Sequence, residues 1–476
     1  VITADSILER IGRSRSALFF GNLECDLPSI LIESERKRRL WSGFIKPGDI
    51  CAFAEAAGAD FLSTLLAIWT LKAAALPLDP GLHPRRRQDR VERADASLQL
   101  RPEGWLRRPN AKHASGLVLF TSGSSGHPRA VCLTLPALEG SIDMFIERFR
   151  LTGQDTFVSG ISPYHGLGLL KFLLTPILLG ATTVLVDTQG NRIKNWLEGL
   201  REHRATVTGG TNHTLDAASR LFRGEPLMDL RFVLVGGEPI RLNSLRSFER
   251  AIGRQGVVRP CYGLTECPSV SGLGFDQDIR TDSQGHACSG TPFEGLQVQV
   301  RDDQGAVLGP GQRGMVWVSG SPVFSSYLDS LEETGLRLRG GWLLTGDWGM
   351  LDEQNHLFIY GRQQAMIKRA GTTLAPREIE QIVEELEEVE RCLAVGIPSQ
   401  YGTHDLILLI VGDSLEKSLV ARISALVLER IGFSPRRVQS ISSEMLPKTD
   451  SGKVDEARLR ELVLEMVDQQ EGISNA

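Results

Sequence analysis

Apolar, strand-like runs that end in glycine or serine alternate with helical patterns along the chain up to Gly285, and this alternation constrains the fold more than any other feature. Residues 61–80, FLSTLLAIWTLKAAALPLDP, read as helix, strand and turn. Residues 116–126, GLVLFTSGSSG, read as a strand feeding a Gly/Ser loop. Residues 169–186, LLKFLLTPILLGATTVLV, read as helix then strand, with Gly180 as the helix stop. Residues 230–240, LRFVLVGGEPI, read as a buried strand ending in glycines. Such alternation implies an α/β fold with a doubly wound sheet and helices on both faces. Ligands of such sheets sit beyond the carboxyl ends of the strands, where these glycine-rich loops fall.

The texture changes twice further on. Residues 296–307 and 313–320 alternate apolar and polar positions between turn glycines, as half-buried antiparallel strands do, so a small β subdomain is expected over about 285–363. From residue 364 the chain reads as an amphipathic helix (377–389), a strand (405–412) and another helix (420–432), enough for a small α+β domain over 364–476. Residues 1–363 would then form one large domain.

Composition excludes several classes. With 476 residues, 41% hydrophobic and 23% charged, the chain can bury a substantial core. A formal net charge of −5 argues against nucleic acid as a partner, which would demand a basic excess. Two basic runs, at 36–39 and 85–87, read as solvated faces or as a docking patch for an acidic partner protein. The seven cysteines are dispersed, with no CxxC pair and no zinc-ligand spacing, as expected of reduced thiols in a cytoplasmic protein. The amino terminus lacks a signal pattern. The apolar stretch 62–78 is interrupted by Lys72 and Pro77, so no membrane span is expected.

Four polar blocks stand in a set order. The first, 121–129 (TSGSSGHPR), supplies hydroxyls and closely spaced backbone N–H groups from Thr121, Ser122, Gly123, Ser124, Ser125 and Gly126, which suit an anion. It is not a Walker loop, because no Gly-Lys-Ser/Thr follows, and taken alone it equals an ordinary Ser/Gly turn. The others are 262–266 (YGLTE), 344–362 (LTGDWG to YGR) and 446–455 (LPKTDSGKVD). Taken singly, Glu266 is a surface carboxylate, Asp347 a turn residue and Arg362 half of a surface ion pair.

Together these blocks resemble the acyl-adenylate-forming enzymes: acyl-CoA synthetases, aryl-acid ligases and the adenylation domains of peptide synthetases. The resemblance covers nearly the whole chain and is weakest near its start. It implies ATP and Mg2+ as cofactors, a small carboxylic acid as substrate, and the thiol of CoA or of a holo carrier protein acting in trans as acceptor. By this resemblance Tyr262 and Gly263 lie against adenine, Thr265 meets the α-phosphate and Glu266 binds Mg2+, a role that suits a hard carboxylate oxygen. Gly236, Gly237 and Glu238 border adenine. Asp347 accepts the ribose hydroxyls, as a carboxylate can for a vicinal diol, and Arg362 supports ribose and phosphate.

Lys453 carries the first chemical step in this reading. A cation between the attacking carboxylate and the α-phosphate offsets the repulsion of two anions. Lys448 reads as a surface or supporting cation. The C-terminal domain is mobile in the family, turning about a hinge that falls here on Gln364. Gly371 then lines the passage of the phosphopantetheine arm. Two departures stand out: Arg129 replaces the usual lysine, and Gln364 replaces the usual Asp or Lys. The acid pocket is expected within 162–174, SPYHGLGLLKFLL, with His165 and Gly166 beside the adenylate. His165 is a poor partner for a substrate ammonium, and its neighbours are apolar. An aliphatic or aryl acid is therefore expected rather than an α-amino acid. The competing readings are transfer of the adenylate to an amine or hydroxyl, and a degenerate nucleotide-binding paralogue without turnover.

Overall fold

The computed structural model describes residues 4–108, 112–121, 128–187, 191–369, 372–399, 403–447 and 454–474. Two large sheets organise the first part of the chain. The nine-stranded sheet has a parallel centre, in spatial order Val258–Leu264, Phe232–Val235, Val207–Gly210, Thr156–Ser159, Thr182–Leu185 and Ala17–Phe20, with antiparallel strands at both edges. The seven-stranded sheet has Ile50–Phe53, Ala74–Pro77 and Gly116–Phe120 at its parallel centre. Ile50–Phe53, Ala74–Pro77 and Phe232–Val235 are buried at every position, as parallel strands covered on both faces must be. The expected doubly wound α/β architecture is present.

Helices Ala59–Thr70 and Leu135–Arg148 share one core with residues of the second sheet, including Phe53, Leu117 and Leu119. Ala59–Thr70 is buried from Phe61 through Trp69, so it cannot be a surface helix. The Trp69 indole N–H donates to the Gly116 carbonyl at 2.7 Å, which anchors the helix to the strand that leads into the 121–129 loop. Truncating such a side chain to alanine typically costs about 3–5 kcal/mol.

The stretch expected to be an ordinary helix is a π-helix, Leu167–Leu174, followed by Thr175–Leu179. The Thr175 hydroxyl donates to the Leu170 carbonyl at 2.6 Å, five residues back. Gly180 ends the helix in the left-handed conformation, as the sequence predicts. π-helical turns are rare and concentrate at functional sites.

The β-rich region contains Gln297–Arg301, Arg313–Ser319, Trp342–Leu351 and Leu357–Arg362 in antiparallel array. Only part of it is half-buried as expected. Arg313–Ser319 is buried at five successive positions, because Val316 and Val318 join the main core while the Arg301 guanidinium covers Trp317 from the other side at 4.8 Å.

Beyond residue 364, strands Cys392–Pro398, His404–Val411 and Arg437–Ile441 form a three-stranded sheet carrying two hydrophobic clusters of its own. A third cluster, around Tyr360, Met366 and Ala375, joins residues from both sides of the expected boundary. The helix expected over 377–389 is shorter, Pro376–Val383. Its continuation is acidic, and negative charge at a helix C-terminus opposes the helix dipole. The acids are used otherwise: Glu384 accepts the Cys392 N–H, and Glu385 and Glu388 pair with Arg430 and Arg422.

Candidate active site

The loop after Gly116–Phe120 is closed at its base by a reciprocal pair. Thr121 N–H donates to the Arg129 carbonyl, and Arg129 N–H donates to Thr121 Oγ1, each at 3.0 Å. Ser122, Gly123, Ser124, Ser125 and Gly126 lie outside the described residues, as do Gly371, Lys448 and Lys453. The Arg129 guanidinium is 3.4 Å from the Glu333 carboxylate and 5.6 Å from the centre of the Tyr327 ring. The phenol of Tyr327 donates to Glu266 Oε1 at 2.6 Å. Burial, then the Glu266 charge, pushes the Tyr327 phenol well up, so it stays a donor.

Glu266 and Thr265 form the two-residue tip of the hairpin between Val258–Leu264 and Cys267–Gly272. The register shifts between Tyr262 and Leu264, at Gly263, where an added Cβ would lie 2.7 Å from the Pro268 carbonyl oxygen. The bulge therefore requires glycine. It turns the tip outward from the sheet end, as bulges near active sites often do. The other oxygen of Glu266 carries no hydrogen bond among the described residues. A hard, half-engaged carboxylate fits Mg2+, which takes one or two protein carboxylates and completes its shell with water and phosphate.

Across the cleft, Asp347 and Arg362 face each other on neighbouring strands, with Arg362 Nε 3.2 Å from Asp347 Oδ1. Arg362 also donates to the Thr345 carbonyl at 2.9 Å, while Asp347 N–H donates to Thr345 Oγ1 at 3.1 Å. The Tyr262 phenol donates to Asp347 Oδ2 at 2.5 Å. Burial first, and the Asp347 charge second, hold that phenol protonated far above its ordinary range. The Asp347 carboxylate raises the Arg362 guanidinium in turn. One donor on each oxygen still leaves lone pairs on Asp347 for two further hydroxyls.

The glycines after Phe232–Val235 bring a third element to the same place. An added Cβ on Gly236 would meet both the carbonyl oxygen and the sulfur of Cys261 at 2.8 Å, so only glycine lets the two strands approach there. Gly237 takes a positive φ of 85°. Glu238 accepts the His213 N–H at 3.4 Å, and Asn212 bonds the Pro239 carbonyl and the Arg241 N–H. Glu238 is thereby tied to the start of the helix Asn212–Leu221 rather than to the Tyr262 cluster. His165 and Gly166 precede the π-helix: His165 N–H donates to the Ser162 carbonyl at 3.3 Å, and an added Cβ on Gly166 would lie 3.5 Å from Leu119.

The segment after Lys453 reaches this cluster. Burial raises the Glu456 carboxyl, with Arg362 opposing the shift and Glu380 and Asp347 adding to it. Glu456, the first residue of the last helix, thus lies in the field of Asp347 and Arg362. Arg460, one turn on, donates to the Gln364 carbonyl at 3.0 Å.

Two residues went unnoticed in the sequence. Tyr327 stands 61 positions from Glu266 in a two-residue edge strand, with no local pattern to flag it. Lys171 did carry a signal: it is the one charge in the apolar run LLKFLLTPILL. It is 3% exposed. Cys261 and Cys267 flank the hairpin tip, and burial pushes both thiols up to about 12, which makes them poor nucleophiles at neutral pH.

A family model described as AMP-binding enzyme matches residues 102–328. The medium-chain fatty-acid–CoA ligase of Escherichia coli (strain K12) is 29% identical over 368 residues, covering 74% of this chain and 62% of that protein. The chain spans about 60% of the length of the curated relatives it matches. Among solved structures, ATP-bound MatB from Rhodopseudomonas palustris superposes with a TM-score of 0.84 at 19% identity, over 97% of this chain and 99% of that one. The amide bond synthetase McbA from Marinactinospora thermotolerans gives 0.82 at 23% identity, over 97% and 100%.

Proposed function

We propose that the chain is an AMP-binding enzyme that activates a carboxylic acid as the acyl adenylate and passes the acyl group to a phosphopantetheine thiol. A carboxylate oxygen of the acid attacks the α-phosphorus of ATP, the bond to the β-phosphate oxygen breaks, and pyrophosphate leaves. The thiolate sulfur then attacks the acyl carbon and AMP departs. Residues 1–363 supply the nucleotide and acid sites, and 364–476 form the mobile unit that brings Lys453 to the first step and Gly371 to the second.

The observation that carries the reading is the coupled set Tyr262, Asp347 and Arg362. It offers a flat ring, a carboxylate with lone pairs to spare and a fixed cation, on strands from two different sheets. These groups suit a base, a vicinal diol and a phosphate in one cleft. Glu266 would hold Mg2+, with Tyr327 fixing one of its oxygens; the ion, when bound, neutralises charge on the phosphates. Thr121 and Arg129 hold the ends of the phosphate loop, and Thr265 projects at the hairpin tip toward the α-phosphate position. All seven cysteines stand as free thiols, and among the described residues no helix is long and apolar enough to cross a membrane. A cytoplasmic site of action accords with the thiols.

The test is acid-dependent pyrophosphate release over aliphatic, aryl and amino acids, with CoA, with a holo carrier protein, and with neither. Release with an aliphatic or aryl acid, raised by one thiol acceptor, is expected. Stimulation by an amine or hydroxyl alone would move the reading to an amide- or ester-forming enzyme. ATP binding without release would indicate a paralogue that no longer turns over.

A further inference from the structure

The guanidinium of Arg313 joins segments from both sides of Gln364. Arg313 opens the strand Arg313–Ser319. One of its terminal nitrogens donates to Glu378 Oε1 at 2.6 Å, on the helix Pro376–Val383. The other donates to Gln284 Oε1 at 2.6 Å and to Asp282 Oδ2 at 3.2 Å, in the turn 282–286. The guanidinium also lies 4.1 Å from the centre of the Tyr360 ring, whose hydroxyl donates to the same Asp282 oxygen at 3.0 Å. The side chains of Asp282 and Glu378 are 4% and 6% exposed, so both pairs are sheltered from water. Charge-assisted bonds of this kind are the strong ones.

Each partner is also held in place by its own surroundings. Asp282 Oδ1 accepts the Gln284 and His286 N–H groups at 3.0 and 2.9 Å, and His286 Nδ1 lies 3.0 Å from Asp282 Oδ2. Glu378 Oε2 accepts the Ala375 N–H at 2.5 Å and so caps its own helix. The bond between Arg313 and Glu378 can therefore open while every other bond of the two groups stays made. In the arrangement seen, the C-terminal region also sets Glu456, three residues past Lys453, in the field of Asp347 and Arg362, while Arg460 donates to the Gln364 carbonyl at 3.0 Å. Another ion pair across the boundary, Arg220 with Glu390, is 64% and 69% exposed, and exposed pairs contribute little.

We propose that Arg313 is a positioning residue for adenylation: by clasping Glu378 it holds residues 364–476 in the orientation that presents the chain around Lys453 to the nucleotide cluster. The inference rests on the adenylating function and the mobile C-terminal unit proposed above. Arg313 touches no substrate in this role. It raises the population of one orientation, and the clasp opens before the unit turns to serve the thiol step.

The experiment measures exchange of labelled pyrophosphate into ATP, and acyl transfer from supplied acyl-AMP to the acceptor that the native chain uses. The chains compared are the native one, Arg313→Gln, Glu378→Gln and the double variant. Loss of one charge-assisted bond shifts the balance of orientations by about tenfold, so kcat for exchange is expected to fall by about that factor in each single variant. The KM for ATP and for the acid should stay, because both sites lie in 1–363, and acyl transfer should run at the native rate or above it. The double variant should be no worse than either single one, since the two residues serve one contact. Arg220→Gln, at the exposed pair, should change neither step. Equal losses in exchange and acyl transfer, additive losses in the double variant, or unchanged exchange in Arg313→Gln would each overturn the inference alone. No exchange with any acid in the native chain overturns the adenylating reading, and the inference with it.

Discussion

The polar cluster around the Tyr262–Glu266 hairpin and the buried Lys171 follow opposite electrostatic plans. Around the hairpin the described charges are partnered: Asp347 has Arg362 and Tyr262, Glu266 has Tyr327, and Arg129 has Glu333. In the π-helix Lys171 has hydroxyls, a carbonyl and a ring face, but no carboxylate among the described residues. A site built to stabilise developing charge works best when its dipoles are fixed before the ligand arrives, and the hairpin cluster has that character. Lys171 is instead buried among neutral acceptors alone. The difference separates a set of partnered polar groups at a sheet end from a lone cation sealed in the core.

The cluster is challenged most strongly by Lys453→Ala. Adenylation should fall by about 10²–10³, while acyl transfer from supplied acyl-AMP continues, measured as thioester formation. Near-normal adenylation would remove Lys453 from the first step. Next comes Asp347→Ala, which removes an acceptor from the ribose position and leaves Arg362 without its carboxylate. Loss of a charge-assisted hydrogen bond is expected to cost about tenfold to a hundredfold in kcat/KM for ATP. The KM for the acid should barely change; equal losses for both substrates would show that the cluster does not act on the nucleotide alone.

A third test concerns stability at Lys171. The folded-state value of Lys171, about 7, lies below the ordinary lysine range. Between those two values the unfolded chain binds more protons than the folded one, so stability rises with pH. It is lost as pH falls from about 10 toward 7. The unfolding free energy from denaturant titrations should decline in the native chain, as pH falls through that window, by an amount on the order of a few kcal/mol. The slope should flatten in Lys171→Met, and parallel curves would show that the amine is not held neutral. The smallest effect is expected at Tyr327→Phe. Glu266 then loses its one donor among the described residues, at about 0.5–1.5 kcal/mol, seen as a severalfold change in the magnesium concentration for half-maximal rate.

The sequence was most legible where local rules act alone. Strands ending in glycine and the Gly180 helix stop follow from turn chemistry and burial, and they appear as expected. Boundaries shaped by tertiary partners were less so. The helix at Pro376–Val383 ends early because its acids bond Cys392, Arg430 and Arg422, which lie 8 to 45 residues away in the chain. The four polar blocks could be singled out because their residue types suit nucleotide chemistry. Tyr327 could not, since its role exists only once two sheets meet. Lys171 was visible as a charge in an apolar run, but its lack of a counter-ion is a property of three packed elements.

The most direct test of the central claim is exchange of labelled pyrophosphate into ATP with an acid present and no acceptor. Exchange that depends on one class of carboxylic acid, and vanishes in Lys453→Ala, is the predicted result. ATP binding with no exchange for any acid would contradict adenylation as the activity of this site.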